Sequence, residues 1–235
     1  MDSCHHFQNE STIKSLCISI VPIFNHLSHE EMQEVANTSK STRYQKGELI
    51  FQAGEPSDHL YIVHKGRVKI YHLSDTGKEQ LLRILEPGDF LGELSLFSKQ
   101  ESDSFAEAMT DVEICSIHRR DLQDIITKFP SISLKILEQF SHRLEQTEKL
   151  VGQLSLQDVE KRTASYLVEL TDGRNEQVEI TLPMSKKDLA SYLGTTRETI
   201  SRRLSSFQDK GWIEQTGQRN IRILNIEAIK KIAEQ

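Results

Sequence analysis

MSKKDLASYLGTTRETISRRLSSFQDKGWI, residues 184–213, holds two short helical patterns separated by Gly194. Ser185 followed three residues later by Asp188 approximates a capping box, with Asp in place of the usual Glu or Gln. Leu189, Ala190 and Leu193 make a short apolar face, Gly194 supplies a turn, and Thr196 is placed to cap the second helix. Within that helix Ile200, Leu204 and Phe207 recur at i, i+4 and i+7 and point inward, leaving Arg197, Glu198, Ser201 and Arg202 on the outer face. The pattern is a helix-turn-helix whose second helix fits a major groove. Arg bonds guanine O6 and N7 in a bidentate way, Glu accepts from cytosine N4, and Ser serves either a base or a phosphate. Lys186, Lys187, Thr196, Arg203 and Lys210 are the phosphate candidates. A plain solvated helix pair is the competing reading, and the agreement of cap, turn, core spacing and outer chemistry decides against it. Beyond Gly211-Trp212-Ile213, strands around Gln215-Thr216-Gly217-Gln218 read as a β-hairpin wing.

Charge along the 235-residue chain supports this placement. The formal net charge is -6, yet residues 160–235 carry 13 Lys/Arg against 11 Asp/Glu, while residues 1–159 carry 16 against 24. The last third is the basic part, as expected of an acidic sensor joined to a module that binds double-stranded DNA. No apolar run approaches a membrane span and no signal-peptide pattern opens the chain, so it reads as cytoplasmic. No nucleophile, base and oxyanion donors share a recognisable pattern, and Glu93 with nearby histidines is generic, so the chain does not read as an enzyme.

From Tyr44 to about His118, short β-branched runs alternate with turn signals: Leu49-Ile50-Phe51, Leu60-Tyr61-Ile62-Val63, Val68-Lys69-Ile70-Tyr71 and Leu81-Leu82-Arg83-Ile84-Leu85, each followed by a Gly-bearing turn. Strands spaced this way predict an antiparallel sandwich or jelly roll. After Phe129-Pro130 one long helix is predicted from near Ser131 to about Leu156. Leu137, Phe140, Leu144, Thr147, Val151 and Leu154 recur on it at steps of 3 and 4, the seam of a two-stranded coiled coil, so a second copy of the chain is the expected partner. Packing of that face on the helix's own sheet is the alternative. Asp158 then caps a further helix, Val159 to Leu170. The expected fold class is α+β: an N-terminal segment over 1–22, a β-roll sensor over 23–130, a dimerisation helix over 131–157 and a winged helix-turn-helix over 158–235.

Gly88-Asp89-Phe90-Leu91-Gly92-Glu93-Leu94 has two glycines free to take positive φ and a carboxylate near backbone N–H groups, the makings of a phosphate cradle. Glu101-Ser102-Asp103-Ser104, which follows, offers an anion no Lys or Arg.

From about Ile23 to Ile226 the chain resembles the Crp/Fnr family of bacterial regulators, as an Fnr-like member of the low-GC Gram-positive type. The resemblance is carried by Pro87 to Leu94, by the long helix ending in Gly152-Gln153-Leu154 and Asp158, and by Arg197-Glu198-Thr199-Ile200-Ser201-Arg202. It implies a jelly roll of the cyclic-nucleotide-binding kind, a long dimerisation helix and a winged helix-turn-helix acting as a homodimer. Family members that bind cyclic AMP use positions falling on Gly92, Glu93, Asp103, Ser104 and Thr147-Glu148. Gly92, Glu93, Ser104 and Thr147 match in kind, but the phosphate-neutralising Arg is replaced by Asp103. Like charges ~4 Å apart at an effective dielectric near ~20 repel by about 4 kcal/mol, roughly a thousandfold in affinity, which argues against cyclic AMP.

The resemblance also singles out the cysteines. Oxygen-sensing members hold an iron-sulfur cluster with three clustered N-terminal cysteines and one distant cysteine. Here Cys17 and Cys115 fall near two of those positions and Cys4 lies upstream, so four-cysteine ligation within one chain is ruled out. Two chemistries stay open: a reversible disulfide from Cys4 or Cys17 to Cys115, or a metal or cluster held by the three cysteines with His5 or His6. Cys115 and Cys17 as buried apolar residues, with Cys4, His5 and His6 in a solvated terminus, is the alternative, as is a regulator controlled by a small organic effector or by none. By resemblance the homodimer reads a palindrome with a TGA-type core, and Arg197 favours a G·C pair one step outside, closer to TGTGA than to TTGAT. RNA polymerase is the further partner the family implies, and promoter position decides whether the protein activates.

Overall fold

The computed structural model describes residues 18–56, 58–93, 101–174 and 178–234. The chain divides into two compact units, Met1–Lys78 with Leu82–Arg143, and Glu79–Leu81 with Leu144–Gln235. Among the described residues no helix is long and apolar enough to cross a membrane.

In the first unit, helix α1 (His29–Thr38) starts on a complete capping box. Ser28 Oγ accepts from the Glu31 N–H at 3.3 Å, and Glu31 Oε2 accepts from the Ser28 N–H at 2.7 Å. Eight strands follow, all in this unit except the first three residues of β5: β1 (Ser39–Tyr44), β2 (Leu49–Phe51), β3 (His59–Lys65), β4 (Val68–Leu73), β5 (Glu79–Leu85), β6 (Phe90–Leu91), β7 (Phe105–Ala108) and β8 (Val112–His118). They form two four-stranded sheets, ordered β1-β8-β3-β6 and β2-β7-β4-β5, as a jelly-roll reading requires. Helix α2 (Arg119–Lys128) leads into the 26-residue helix α3 (Ser131–Leu156).

Strand alternation divides the side chains of one sheet between two cores. On β8, Val112 and Ile114 enter a cluster with Val63, Val68, Ile70 and Ala106, which lies between the sheets. Cys115 and Ile117 enter the other cluster, with Phe24, Val35, Leu122, Ile132 and Ile136 from the helical side. β3 behaves alike, Leu60 and Ile62 against Val63, and its register with β8 shifts between Val63 and Lys65.

In the second unit Asp158 caps α4 (Val159–Leu170), its carboxylate accepting from the Lys161 N–H at 2.9 Å. β9 (Val178–Thr181), α5 (Lys186–Tyr192), α6 (Arg197–Asp209), β10 (Ile213–Gln215), β11 (Asn220–Ile223) and α7 (Ile226–Glu234) complete it. The expected hairpin wing is β10 with β11, pairing Ile213 with Ile223 and Gln215 with Ile221. β9 adds a third strand beside β11, with Ile180 opposite Ile221.

Gly92 carries a constraint that no other residue satisfies. Its φ is +88°, and an added Cβ would lie 2.1 Å from the His59 carbonyl oxygen. Left-handed backbone alone costs a side-chain-bearing residue about 1–2 kcal/mol, and here a backbone overlap adds to it. Gly92→Ala is therefore expected to lower unfolding stability by at least about 2 kcal/mol, seen as a lower urea midpoint at unchanged slope. A change below about 0.5 kcal/mol would contradict the close approach.

Candidate nucleic-acid interface

Local chemistry sets the two helices of the candidate interface. Ser185 Oγ accepts from the Asp188 N–H at 3.2 Å and donates its own proton to Asp188 Oδ2 at 2.6 Å. Asp is one carbon shorter than the Glu of a full capping box, and its carboxylate takes the cap's hydroxyl rather than reaching the cap's backbone. α5 closes on Leu193, Gly194 follows at φ +65°, and the Thr195 N–H donates to Ala190 O at 2.8 Å. Thr196 Oγ1 then accepts from the Thr199 N–H at 3.2 Å and starts α6.

Ile200, Leu204 and Phe207 are buried, while Arg197, Glu198 and Arg202 are exposed and Ser201 is half-buried. Among the described residues neither Arg197 nor Arg202 has an ion-pair partner, so two guanidinium groups stand on the outer face of α6 with their donors unspent. Arg203 is placed differently. Its Nη1 lies 3.1 Å from Glu160 Oε2, and Lys210 Nζ lies 3.2 Å from Glu160 Oε1. Lys210 also sits 4.5 Å from the centre of the Trp212 ring. Two cations share one carboxylate, leaving a net positive charge beside α6. Lys186 Nζ donates to Gln215 Oε1 at 2.6 Å, and the exposed Lys187 lies 3.6 Å from Glu79.

The cradle residues belong to the first unit. Glu93 is only 5% exposed. One of its oxygens accepts from Arg143 Nη1, and the same oxygen lies 3.9 Å from Arg83 Nη2. Arg143 Nη2 also donates to Phe90 O at 2.7 Å, and its guanidinium lies 4.5 Å from the Phe90 ring centre. Burial, with Arg143 alongside, pulls the Arg83 guanidinium below its ordinary pKa, against the opposing pull of Glu93 and Asp89. Asp103 is elsewhere in character, its side chain 87% exposed and 3.6 Å from His72. Ser104 O accepts from Ser102 Oγ at 3.0 Å, and Thr147 is exposed. Sequence reasoning missed Arg83 and Arg143. Arg143 lies one helical turn before Thr147, a spacing that puts both on one face.

On α3, Leu137, Leu144 and Val151 are 56%, 60% and 57% exposed, a line at steps of seven, and Leu134 is exposed beside them. Phe140 is partly buried against the helical-side core of its own unit, and Leu154 is half-buried. Cys115 is fully buried and disulfide-bonded. Cys4, Cys17, His5 and His6 lie outside the described residues.

Residues 41–129 match the cyclic nucleotide-binding domain family and residues 161–232 the Crp-like helix-turn-helix domain family. The probable transcriptional regulator flp of Lacticaseibacillus casei is 33% identical over 217 residues, covering 92% of this chain and 98% of its own. The chain belongs to the Crp/Fnr family. The CRP-like cAMP-activated global transcriptional regulator of Mycobacterium tuberculosis is 34% identical over 178 residues, covering 74% of this chain and 80% of its own. The solved structure of FixK2 from Bradyrhizobium japonicum superposes with a TM-score of 0.71 at 27% identity, covering 83% of this chain and 96% of that one. As a Crp/Fnr protein the chain is a DNA-binding transcriptional regulator and not an enzyme.

Glu160 restrains two of this Crp/Fnr protein's cations, which gives a test of the charge beside α6. Glu160→Gln is expected to tighten binding to a random-sequence duplex about two- to threefold at ~50 mM salt, while costing under about 1 kcal/mol of stability. Unchanged or weaker binding would show that Arg203 and Lys210 do not face the phosphates.

Proposed function

We propose that the protein acts as a homodimer that reads a TGTGA-like palindrome and is switched by thiol oxidation rather than by cyclic AMP. In this reading the β-roll over 23–130 is the sensor, 131–157 the dimerisation helix and 158–235 the reading domain. Arg197, Glu198, Ser201 and Arg202 meet base edges, and Lys186, Lys187, Thr196 and Arg203 lie along phosphates. The exposed line Leu137, Leu144 and Val151 supports a parallel partner helix, and the DNA-bound dimer then acts through RNA polymerase.

One observation carries the redox reading: Cys115, which is disulfide-bonded, sits in the core that also holds Ile132 and Ile136 at the foot of the long helix. The only other cysteines of the chain are Cys4 and Cys17. Reduction would cut a covalent tie inside that core, and a bias of only about 1.4 kcal/mol between two dimer arrangements changes DNA affinity tenfold. A sulfur held in a disulfide is not a thiolate, so this state favours the disulfide over a metal or cluster. Against cyclic AMP stands Asp103, which brings no cation.

A second reading has its own support. Glu93 Oε2 is buried with no hydrogen-bond partner among the described residues, an acceptor that suits a hydroxyl-bearing organic effector.

The test is binding of anaerobically purified protein to a TGTGA-N6-TCACA duplex at fixed salt, before and after a thiol oxidant. The oxidised and reduced forms should differ at least tenfold, reversibly with dithiothreitol, and Cys115→Ser should be insensitive to both reagents. Equal affinity in the two forms, with the disulfide verified by mass, would remove the redox reading and turn attention to an effector at Glu93. Arg202→Ala should cost about 1–3 kcal/mol on the palindrome and almost nothing on random DNA. Equal losses on both would remove the base-reading role.

A further inference from the structure

We infer that Arg162 is the positioning residue that locks the reading helix to the end of the long helix, and so sets the half-site spacing the protein accepts. The inference rests on the dimeric reading proposed above. Arg162 belongs to α4 and is 8% exposed. Its Nε donates to Leu193 O at 3.0 Å, and its Nη1 donates to Leu154 O at 3.4 Å and to Gln157 O. Those carbonyls come from three segments: the last turn of α3, the link to α4, and the C-cap of α5 in the helix-turn-helix.

The chemistry of these partners is specific. Carbonyls at a helix end have no intrahelical donor, and they carry the negative pole of the helix. Among the described residues Arg162 has no carboxylate partner; its buried charge is met by backbone carbonyls alone. A planar fork with five donors can satisfy carbonyls converging from different segments, which a lysine ammonium on a flexible stem cannot do in the same geometry. A second contact marks the same joint. Gly194 follows the bonded Leu193, and a Cβ on it would lie 3.0 Å from Leu154 Cδ2. Thr196, two residues further, is the cap on which α6 begins. Holding Leu193 O to the end of α3 therefore fixes where the reading helix starts.

A dimer transmits that placement to its DNA as a distance between two reading helices. One base pair more or less shifts a half-site by about 3.4 Å along the axis and rotates it by roughly a tenth of a turn. A rigid joint rejects such a site and a loose one accepts it. The experiment compares wild type, Arg162→Met and Arg162→Lys on TGTGA-N5-TCACA, TGTGA-N6-TCACA and TGTGA-N7-TCACA duplexes and on a single half-site. Wild type should prefer one spacing at least tenfold over its neighbours. Arg162→Met should narrow that preference to within about threefold while its half-site affinity stays within about threefold of wild type, and Arg162→Lys should fall between them. If Arg162→Met does not fold, Arg162→Lys, which keeps the charge and most of the volume, decides by the same ratio. A preserved spacing preference, or an equal loss on half-site and palindrome, would overturn the positioning role. A wild type indifferent to spacing would instead remove the dimeric palindrome reading, and the inference with it.

Discussion

The helix Ser131–Leu156 must serve two cores, and its apolar residues outnumber what those cores accept. Ile132 and Ile136 go into the core behind β8, Phe140 leans on the same core, and Leu154 contributes to the second unit. Leu137, Leu144 and Val151 are left facing outward. Fully burying a Leu or Val side chain contributes about 1.5–3 kcal/mol, so six such side chains, were two copies to pair, would contribute at most roughly 9–18 kcal/mol before the cost of association. That cost is itself about 4–15 kcal/mol. The two are of the same size, so the balance is sensitive to whatever else bears on the helix. In the dimeric reading proposed above, a helix pairing so nearly balanced is well suited to a switch.

Charge is distributed by the same logic of what is used and what is left. Arg143 is spent on Glu93, Arg203 and Lys210 share Glu160, and Arg162 is spent on backbone carbonyls. Arg197 and Arg202 remain exposed on α6, a helix whose inner face is apolar. A chain with net charge -6 can therefore present cations to DNA, because contact with phosphate and base depends on the local field rather than the total.

Elements with strong periodicity and an explicit cap were legible from sequence. α3 and α4 occupy the residues their patterns predict, and α4 and α6 start where Asp158 and Thr196 each have a side-chain oxygen to give the first turn. Strands β2 to β5 were legible because a Gly-bearing turn follows each, whereas β1 was not, since it ends at Tyr44 where the predicted stretch begins. β9 was not, being only four residues long, and its place beside β11 is a non-local pairing. Helix α7 carries Ile226 and Ile229 inward at helical spacing, a signal in the sequence that the wing's strands drew attention from. At the candidate site, the residue types on α6 were legible because local structure orders them. The Glu93–Arg143 pair and the Arg162 hub were not, since the partners lie 50 residues apart in the first case, and in the second are backbone carbonyls that no side-chain pattern reports.

The Gly92-Glu93 pair illustrates why a family signature is not a ligand signature. Gly92 is demanded by its φ of +88° and by the His59 carbonyl beneath it, a backbone requirement that persists whether or not anything binds. Glu93 is demanded in turn by what surrounds it: Arg143 and Arg83 are directed at one of its oxygens, and an Ala there would leave both partly buried without the carboxylate they share. Both residues that most resemble a nucleotide cradle are thus held in place by the fold's own backbone and charge. By the resemblance, members that bind cyclic AMP aim a cation at the phosphate from a position falling on Asp103, whose carboxylate is exposed here. In the redox reading proposed above, the jelly roll keeps its cradle for structural reasons and the signal is received at Cys115, whose core neighbours include Ile132 and Ile136 of α3.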